Sequence, residues 1–310
     1  MKKNLKNKAK YTGIWPVAPT PFTNQGELDL EGMRRVLDCM IDQGVDGICI
    51  LANFSEQFLL SDEERELLTK VCLSHVSGRV PVIVTVSHFA TDIVVSRAYK
   101  ALELGASMIM LMPPYHGALI HGTAEQIYEH FAAASDVGIP IMLQDAPISG
   151  VELPVDLLVR MALEIEQLCC FKIECAQAAI KIRSLLEKAG DSIYGPFDGE
   201  EGITLLADLD AGATGSMTSA LIPDLIRPAI MAHLSGNRSE AKSIYAQVLP
   251  LINHENRLCG FRGAKTLFKE GGVIESDFCR HPIAPLNPAV KSALLNMAKE
   301  LNPVALTWGK

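Results

Sequence analysis

Two runs decide the fold: Pro81-Val-Ile-Val-Thr-Val86 and Ser107-Met-Ile-Met-Leu-Met112, with one helical pattern over 91–104 between them. Both runs are apolar at odd and even positions alike. A strand of that kind is covered on both faces, the usual condition of a parallel strand in an α/β protein. Outward from this unit, further short apolar runs begin near Ile14, Gly47, Pro140, Cys169, Ser192 and Ala213. Helical patterns fill the gaps at 30–43, from Ser61 onward, and at 124–137, 155–165, 176–189 and 200–210. Ser61-Asp-Glu-Glu64 is a capping box with acidic residues in the first turn, and Leu67, Leu68, Val71, Cys72 and His75 follow at helical spacing. Gly44, Gly105, Gly138 and Gly190 stand where left-handed C-terminal caps are wanted.

Eight strand–helix units predict an α/β fold, a (β/α)8 TIM barrel. A doubly wound sheet is the rival, but no Gly-rich phosphate fingerprint opens the first unit. From about Leu221 the pattern is helical only, at 223–235, 239–257, 262–270 and 288–301. The expected organisation is a flexible basic tail at 1–12, a barrel at 13–235, and a C-terminal helical appendage at 236–310 belonging to the same domain.

Composition narrows the partners. The 310 residues carry 28 Lys+Arg against 36 Asp+Glu, a formal charge of −8, which argues against a nucleic-acid partner. Five lysines in the first ten residues suggest the start of a signal peptide, but Tyr11–Phe22 is broken by three prolines and no apolar segment follows. No run approaches a membrane span. Cys39, Cys49, Cys72, Cys169, Cys170, Cys175, Cys259 and Cys279 contain no Cys-x-x-Cys and sit mostly in apolar runs. They read as buried thiols of a cytoplasmic protein rather than a disulfide frame or a zinc site.

In a barrel, chemistry belongs at the C-terminal ends of the strands. Polar residues there are Asn53-Phe-Ser-Glu56, His88, Tyr115-His116, Gln144-Asp145, Lys172, Glu174 and Asp198-Gly-Glu-Glu201. Lys172 is the informative one, inside the apolar run Cys169-Cys-Phe-Lys-Ile-Glu174. Residues two apart share a strand face, so Lys172 and Glu174 point the same way. Burial disfavours a charged amine, and a neutral amine is a nucleophile that forms a Schiff base with a ketone. The alternative is a buried Lys–Glu ion pair with a purely structural role. A metal site drawn from His88, His116, Glu174 and Asp198 would take one ligand from each of four strands, so no metal is expected. His88 and His116 read as general acids, substrate donors or mouth histidines. Tyr115 reads as a pocket residue or an oligomer contact. The Gly212–Gly215 turn reads as a close backbone approach to the reacting carbon, with Met217 nearby.

Across nearly the whole chain the sequence resembles the dihydrodipicolinate synthase / N-acetylneuraminate lyase superfamily. The matching stretches are Gly13-Ile-Trp-Pro-Val-Ala-Pro-Thr-Pro-Phe22, the glutamate-terminated loop 52–56, Pro113-Pro-Tyr-His116, Phe171-Lys-Ile-Glu174 and Gly212-Ala-Thr-Gly215. The resemblance implies an imine between Lys172 and a 2-keto acid, no separate cofactor, and a homotetramer built as a dimer of dimers. The sequence departs from the pattern at three places. Ala52-Asn-Phe-Ser-Glu56 replaces the usual Gly-Thr-Thr-Gly-Glu, so Asn53, Ser55 and backbone N–H groups inherit the substrate carboxylate. Gln144 stands where the family has its proton-shuttling tyrosine at the end of strand 5, and His116 stands where it has the second tyrosine of the strand-4 pair. An amide is neither acid nor base at neutral pH, so proton transfer falls to another group, Glu174 first, or to a water held by Gln144. These departures, with Gln144-Asp-Ala-Pro147 and Asn253-His-Glu-Asn-Arg257, resemble the branch that dehydrates 2-keto-3-deoxy sugar acids. The expected site is therefore Lys172, Glu174 and Gln144 as catalytic residues, with Asn53, Ser55, His88, Tyr115, His116, Gly199 and Met217 around the substrate. An aldolase or synthase using the same imine, and a keto-acid-binding regulator without turnover, are the competing expectations.

Overall fold

The computed structural model describes residues 11–116, 120–146 and 150–310. Most of the expected tail, the residue Pro147 and the side chain of His116 lie outside what it describes. The eight principal strands are β1 (Gly13–Ile14), β2 (Ile48–Ile50), β3 (Val82–Thr85), β4 (Met108–Leu111), β5 (Ile141–Asp145), β6 (Leu168–Ile173), β7 (Gly195–Asp198) and β8 (Gly215–Ser216). They belong to one sheet in the order β1-β8-β7-β6-β5-β4-β3-β2. The helices are α1 (Leu30–Asp42), α2 (Asp62–Val76), α3 (Thr91–Glu103), α4 (Ala124–Ser135), α5 (Val155–Glu164), α6 (Ala178–Ala189), α7 (Leu205–Asp210) and α8 (Pro223–Leu234). Three more follow: α9 (Arg238–His254), α10 (Arg262–Glu270) and α11 (Pro288–Leu301). The fold is the (β/α)8 barrel class with C-terminal helices, as the alternating pattern requires. Among the described residues no helix is long and apolar enough to cross a membrane.

Element boundaries move where the backbone enters the left-handed region. Gln177 at φ 63° holds α6 back to Ala178, and Glu201 at φ 54° with Gly202 at φ 90° removes the expected first turn of α7. A single 3₁₀ turn at Gly190–Ser192 delays β7 to Gly195. The helix expected over 239–257 ends at His254 and gives way to a π-helix at Glu255–Cys259. The Ser61 capping box forms, with Glu64 N–H donating to Ser61 Oγ and Ser61 N–H to Glu64.

The chain divides into two compact units. One comprises Ile83–Glu200 and Thr204–Met217 with Tyr11 and Thr12. Here β3 to β8 pair in parallel, and the register sets Gln144 beside Lys172 and Lys172 beside Phe197. Next to that row runs a second, in which Asp145 lies beside Ile173 and Ile173 beside Asp198. Alternation along a strand turns these two rows to opposite faces.

The other unit comprises Gly13–Val82, Glu201–Ile203 and Thr218–Lys310. Val17 bridges in parallel to Cys49 and to Ser219. Its appendage is tied in by charge. Glu56 and Lys265 form an ion pair with both side chains almost wholly out of water. The Arg280 backbone N–H also donates to Glu56, at 3.1 Å, and Lys265 Nζ donates to the Phe278 carbonyl at 2.9 Å. Lys265 and Arg280 each sit 4.4 Å from the centre of the Phe22 ring. Removing one member of such a pair strands the other as a buried charge. Lys265→Met is expected to lose roughly 3–5 kcal/mol of stability, measured by urea unfolding. The double variant Glu56→Leu/Lys265→Met is expected to recover at least half of that loss; an equal or larger loss would show that the pair is not the source.

Candidate active site

Every residue of β6 is buried, and Lys172 is only 3% exposed. Its Nζ lies 3.0 Å from Glu174 Oε2. The same carboxylate oxygen accepts a hydrogen bond from Gln144 Nε2 at 2.7 Å. Strand alternation and the β5–β6 register thus bring an amine, a carboxylate and an amide to one oxygen, as the spacing of Lys172 and Glu174 predicts. The remaining Gln144 atom, Oε1, is buried without a partner among the described residues. A buried acceptor in that state is open to a donor from outside the chain.

Gly199 forms part of the same group. Its N–H donates to the Ile173 carbonyl at 3.0 Å. A Cβ placed there would come within 2.9 Å of Lys172 Cγ and 2.8 Å of the Ile173 carbonyl oxygen. Only glycine allows the backbone to lie this close to the lysine stem. Met217 is fully buried, and its N–H donates to the Asp198 carbonyl at 2.9 Å.

The second row faces the helices. Asp145 pairs with Lys181 of α6 at 2.5 Å, and burial holds the Asp145 carboxyl above the usual range despite that cation. Asp198, grouped from sequence with the metal-ligand alternative, instead turns toward Asp208 of α7 and accepts from the Ser216 hydroxyl. Sequence reading missed Lys181, Asp208 and Ser216. Asp208 did leave a signal: it shares the buried face of a short amphipathic helix with Leu205 and Leu209.

The remaining expected residues make contacts of their own. His88 Nδ1 accepts from the Ala90 N–H at 2.9 Å, which leaves the proton on Nε2, and the ring stacks on Phe89. Tyr115 and His116 open a two-stranded hairpin that Ile120 and His121 complete, and burial raises the Tyr115 hydroxyl above its ordinary value. Asn53 and Ser55 belong to the other compact unit. There Asn53 Oδ1 accepts from Gln57 Nε2 at 2.7 Å. The Ser55 hydroxyl donates to the Ala18 carbonyl at 2.6 Å and accepts from the Ala52 N–H at 3.2 Å. Gly212 corrects the sequence reading of its turn. It precedes β8, and a Cβ there would strike Leu186 of α6 at 2.6 Å, so its small size serves helix packing. His254 hydrogen-bonds the Val290 carbonyl of α11, a contact within the appendage.

Residues 10–301 match the model of the Dihydrodipicolinate synthetase family. The chain is 53% identical over 300 residues to an L-2-keto-3-deoxyarabonate dehydratase of Azospirillum brasilense, covering 96% of this chain and 97% of that one. It is 26% identical to a 4-hydroxy-tetrahydrodipicolinate synthase of Bacillus subtilis, covering 91% and 96%. Among solved structures, the dihydrodipicolinate synthase of Aquifex aeolicus superposes with a TM-score of 0.88 at 25% identity, covering 94% of this chain and 99% of that one. A lysine buried beside a glutamate at the end of the sixth strand therefore sits in a chain that belongs to the dihydrodipicolinate synthetase family.

Proposed function

We propose that this protein is a hydro-lyase that converts L-2-keto-3-deoxyarabonate to 2,5-dioxopentanoate and water through an imine on Lys172. The observation that carries the reading is the convergence of Lys172 Nζ and Gln144 Nε2 on one oxygen of Glu174. The dehydratase of Azospirillum brasilense, 53% identical, supports the choice of substrate.

The chemistry follows from the site. The Lys172 amine attacks the C2 ketone, and water leaves to give an iminium. Its positive charge is the electron sink, so no separate cofactor is required. Glu174 takes a proton from C3 to form the enamine, and C4 then loses its hydroxyl as water with one proton. Protons leave C5 and its hydroxyl and return to C3 and C4, after which hydrolysis frees the aldehyde product and the lysine. A well-placed base of this kind supplies about 10²–10⁴-fold. Gln144 has no titratable group and serves by holding Glu174 and offering its open Oε1 to a substrate hydroxyl or a water.

Asn53 and the backbone of its loop serve the substrate carboxylate in this reading, with Ser55 holding the loop's shape through Ala18. Tyr115 contributes a pocket contact, His88 lies on the loop after β3, and Gly199 and Met217 form the wall beside the imine; the side chain of His116 lies outside the described residues. The enzyme is cytoplasmic, consistent with eight free thiols. It assembles as a homotetramer, for which the exposed Tyr99 and Leu102 of α3 are available surface.

Borohydride reduction in the presence of the keto acid is expected to leave a mass adduct on Lys172. Absence of the adduct would overturn the imine. NMR of the products is expected to show the semialdehyde; pyruvate with glycolaldehyde would instead make the protein an aldolase. Glu174→Gln is expected to lower kcat by about 10²–10⁴-fold, and near-parental turnover would remove Glu174 from the role of base. Gly199→Ala is expected to lower kcat/KM at least about ten-fold by displacing the Lys172 stem, read by steady-state kinetics on folded protein.

A further inference from the structure

On the helix-covered face of the strands that carry Lys172, two carboxyl groups meet without a cation. Asp198 ends β7, Asp208 lies on α7, and both are wholly buried. The Ser216 hydroxyl donates to Asp198, and the Thr204 hydroxyl donates to Asp208 Oδ2 at 2.6 Å. The Glu200 backbone N–H also donates to Asp198, and the two aspartates hydrogen-bond each other. Among the described residues no Lys or Arg pairs with either. The titratable groups around the pair are Glu200, Cys175 and the Lys181–Asp145 ion pair, whose cation is already committed.

Two carboxylates buried together without a counter-ion do not both ionise. Burial first, and then the charge of Asp208, raise Asp198; burial raises Asp208 as well. The pair titrates as a unit that retains one proton beyond the ordinary carboxylate range. Asp198 also anchors the turn that follows it. Its side chain takes the Glu200 N–H, and its carbonyl takes the Met217 N–H. Between these two bonds lies Gly199, the residue packed against Lys172 Cγ.

We propose that Asp198 is a positioning residue for Lys172: a single proton shared with Asp208 keeps the Asp198–Glu200 turn seated against the lysine stem, and loss of that proton unseats it. The proposal rests on Lys172 being the imine-forming lysine. The sign of the pH effect follows from linkage. The folded protein holds a proton that the unfolded chain has released, so stability falls as pH rises from the ordinary carboxylate range through the titration of the pair.

The test measures two quantities from about pH 6 to about pH 10: the melting temperature, and the rate at which pyruvate is trapped on Lys172 by borohydride. Both are expected to fall with rising pH in the parent. Asp208→Asn replaces the shared proton with a permanent amide donor. It is expected to move the alkaline fall in trapping upward by at least about one pH unit and to make the melting temperature less pH-dependent. Glu255 of the π-helix, pushed up to about 8 by burial, titrates in the same range, so the readout is the difference between variant and parent. Asp198→Ala, or Asp198→Asn if the alanine variant does not fold, is expected to slow trapping at least about ten-fold at neutral pH. An alkaline limb in Asp208→Asn identical to the parent's, or parental trapping by a folded Asp198 variant, would overturn the proposal. A purely structural pair would move the melting temperature and leave trapping unchanged, which also overturns it. No adduct in the parent would instead refute the imine on Lys172, and the melting arm would still decide whether the proton is shared.

Discussion

The local architecture around β6 depends on keeping one amine out of water. A buried ammonium without a partner costs several kcal/mol, and Lys172 meets that demand with Glu174 two residues along the same strand. The pairing also constrains the strand. A slip of one residue would turn Lys172 to the helix-covered face and break its alignment with Gln144. The same register brings Gly199 against the lysine stem, where no side chain fits. The buried lysine, its partner carboxylate and the amide that steadies that carboxylate are therefore products of strand pairing.

The two faces of these strands carry charge in different ways. One gathers Lys172, Glu174 and Gln144. The other neutralises its buried carboxyl groups locally, Asp145 through Lys181 and Asp198 through Asp208. In the second compact unit, buried polarity specifies how the appendage docks. Lys265 and Arg280 converge on Glu56 and Phe22, and Ser219 donates to the buried Glu255 of the π-helix. Such groups contribute little net stability compared with apolar packing, but they penalise any other arrangement.

Much of this was legible in the chain. Runs apolar on both faces marked parallel strands, Gly44, Gly105 and Gly138 took the left-handed conformation at helix ends, and Ser61 capped its helix. Lys172 and Glu174 were readable because a strand's side-chain period is short and fixed. Boundaries were less legible where single residues adopt positive φ, as Gln177 and Glu201 do, because non-glycine residues do so only when their surroundings compel it. The π-helix after His254 left no sequence signal because it departs from an α-helix in hydrogen-bond spacing and not in side-chain type or in the sign of φ. Residue type alone does not show that Gly212 packs on Leu186 or that the Ser55 hydroxyl is directed to Ala18.

The sequence by itself determined the order of strands and helices, the buried lysine and the residue two places after it, since these follow from periodicity and from the cost of burying charge. Only the tertiary structure decided which residues from distant stretches meet. Gln144 reaches Glu174, and Asp208 reaches Asp198, because neighbouring elements are brought into register by hydrogen bonds among backbone groups that are alike in every residue. Side-chain pattern locates a strand and its faces, while the alignment of one strand with the next is settled by the packing of the whole.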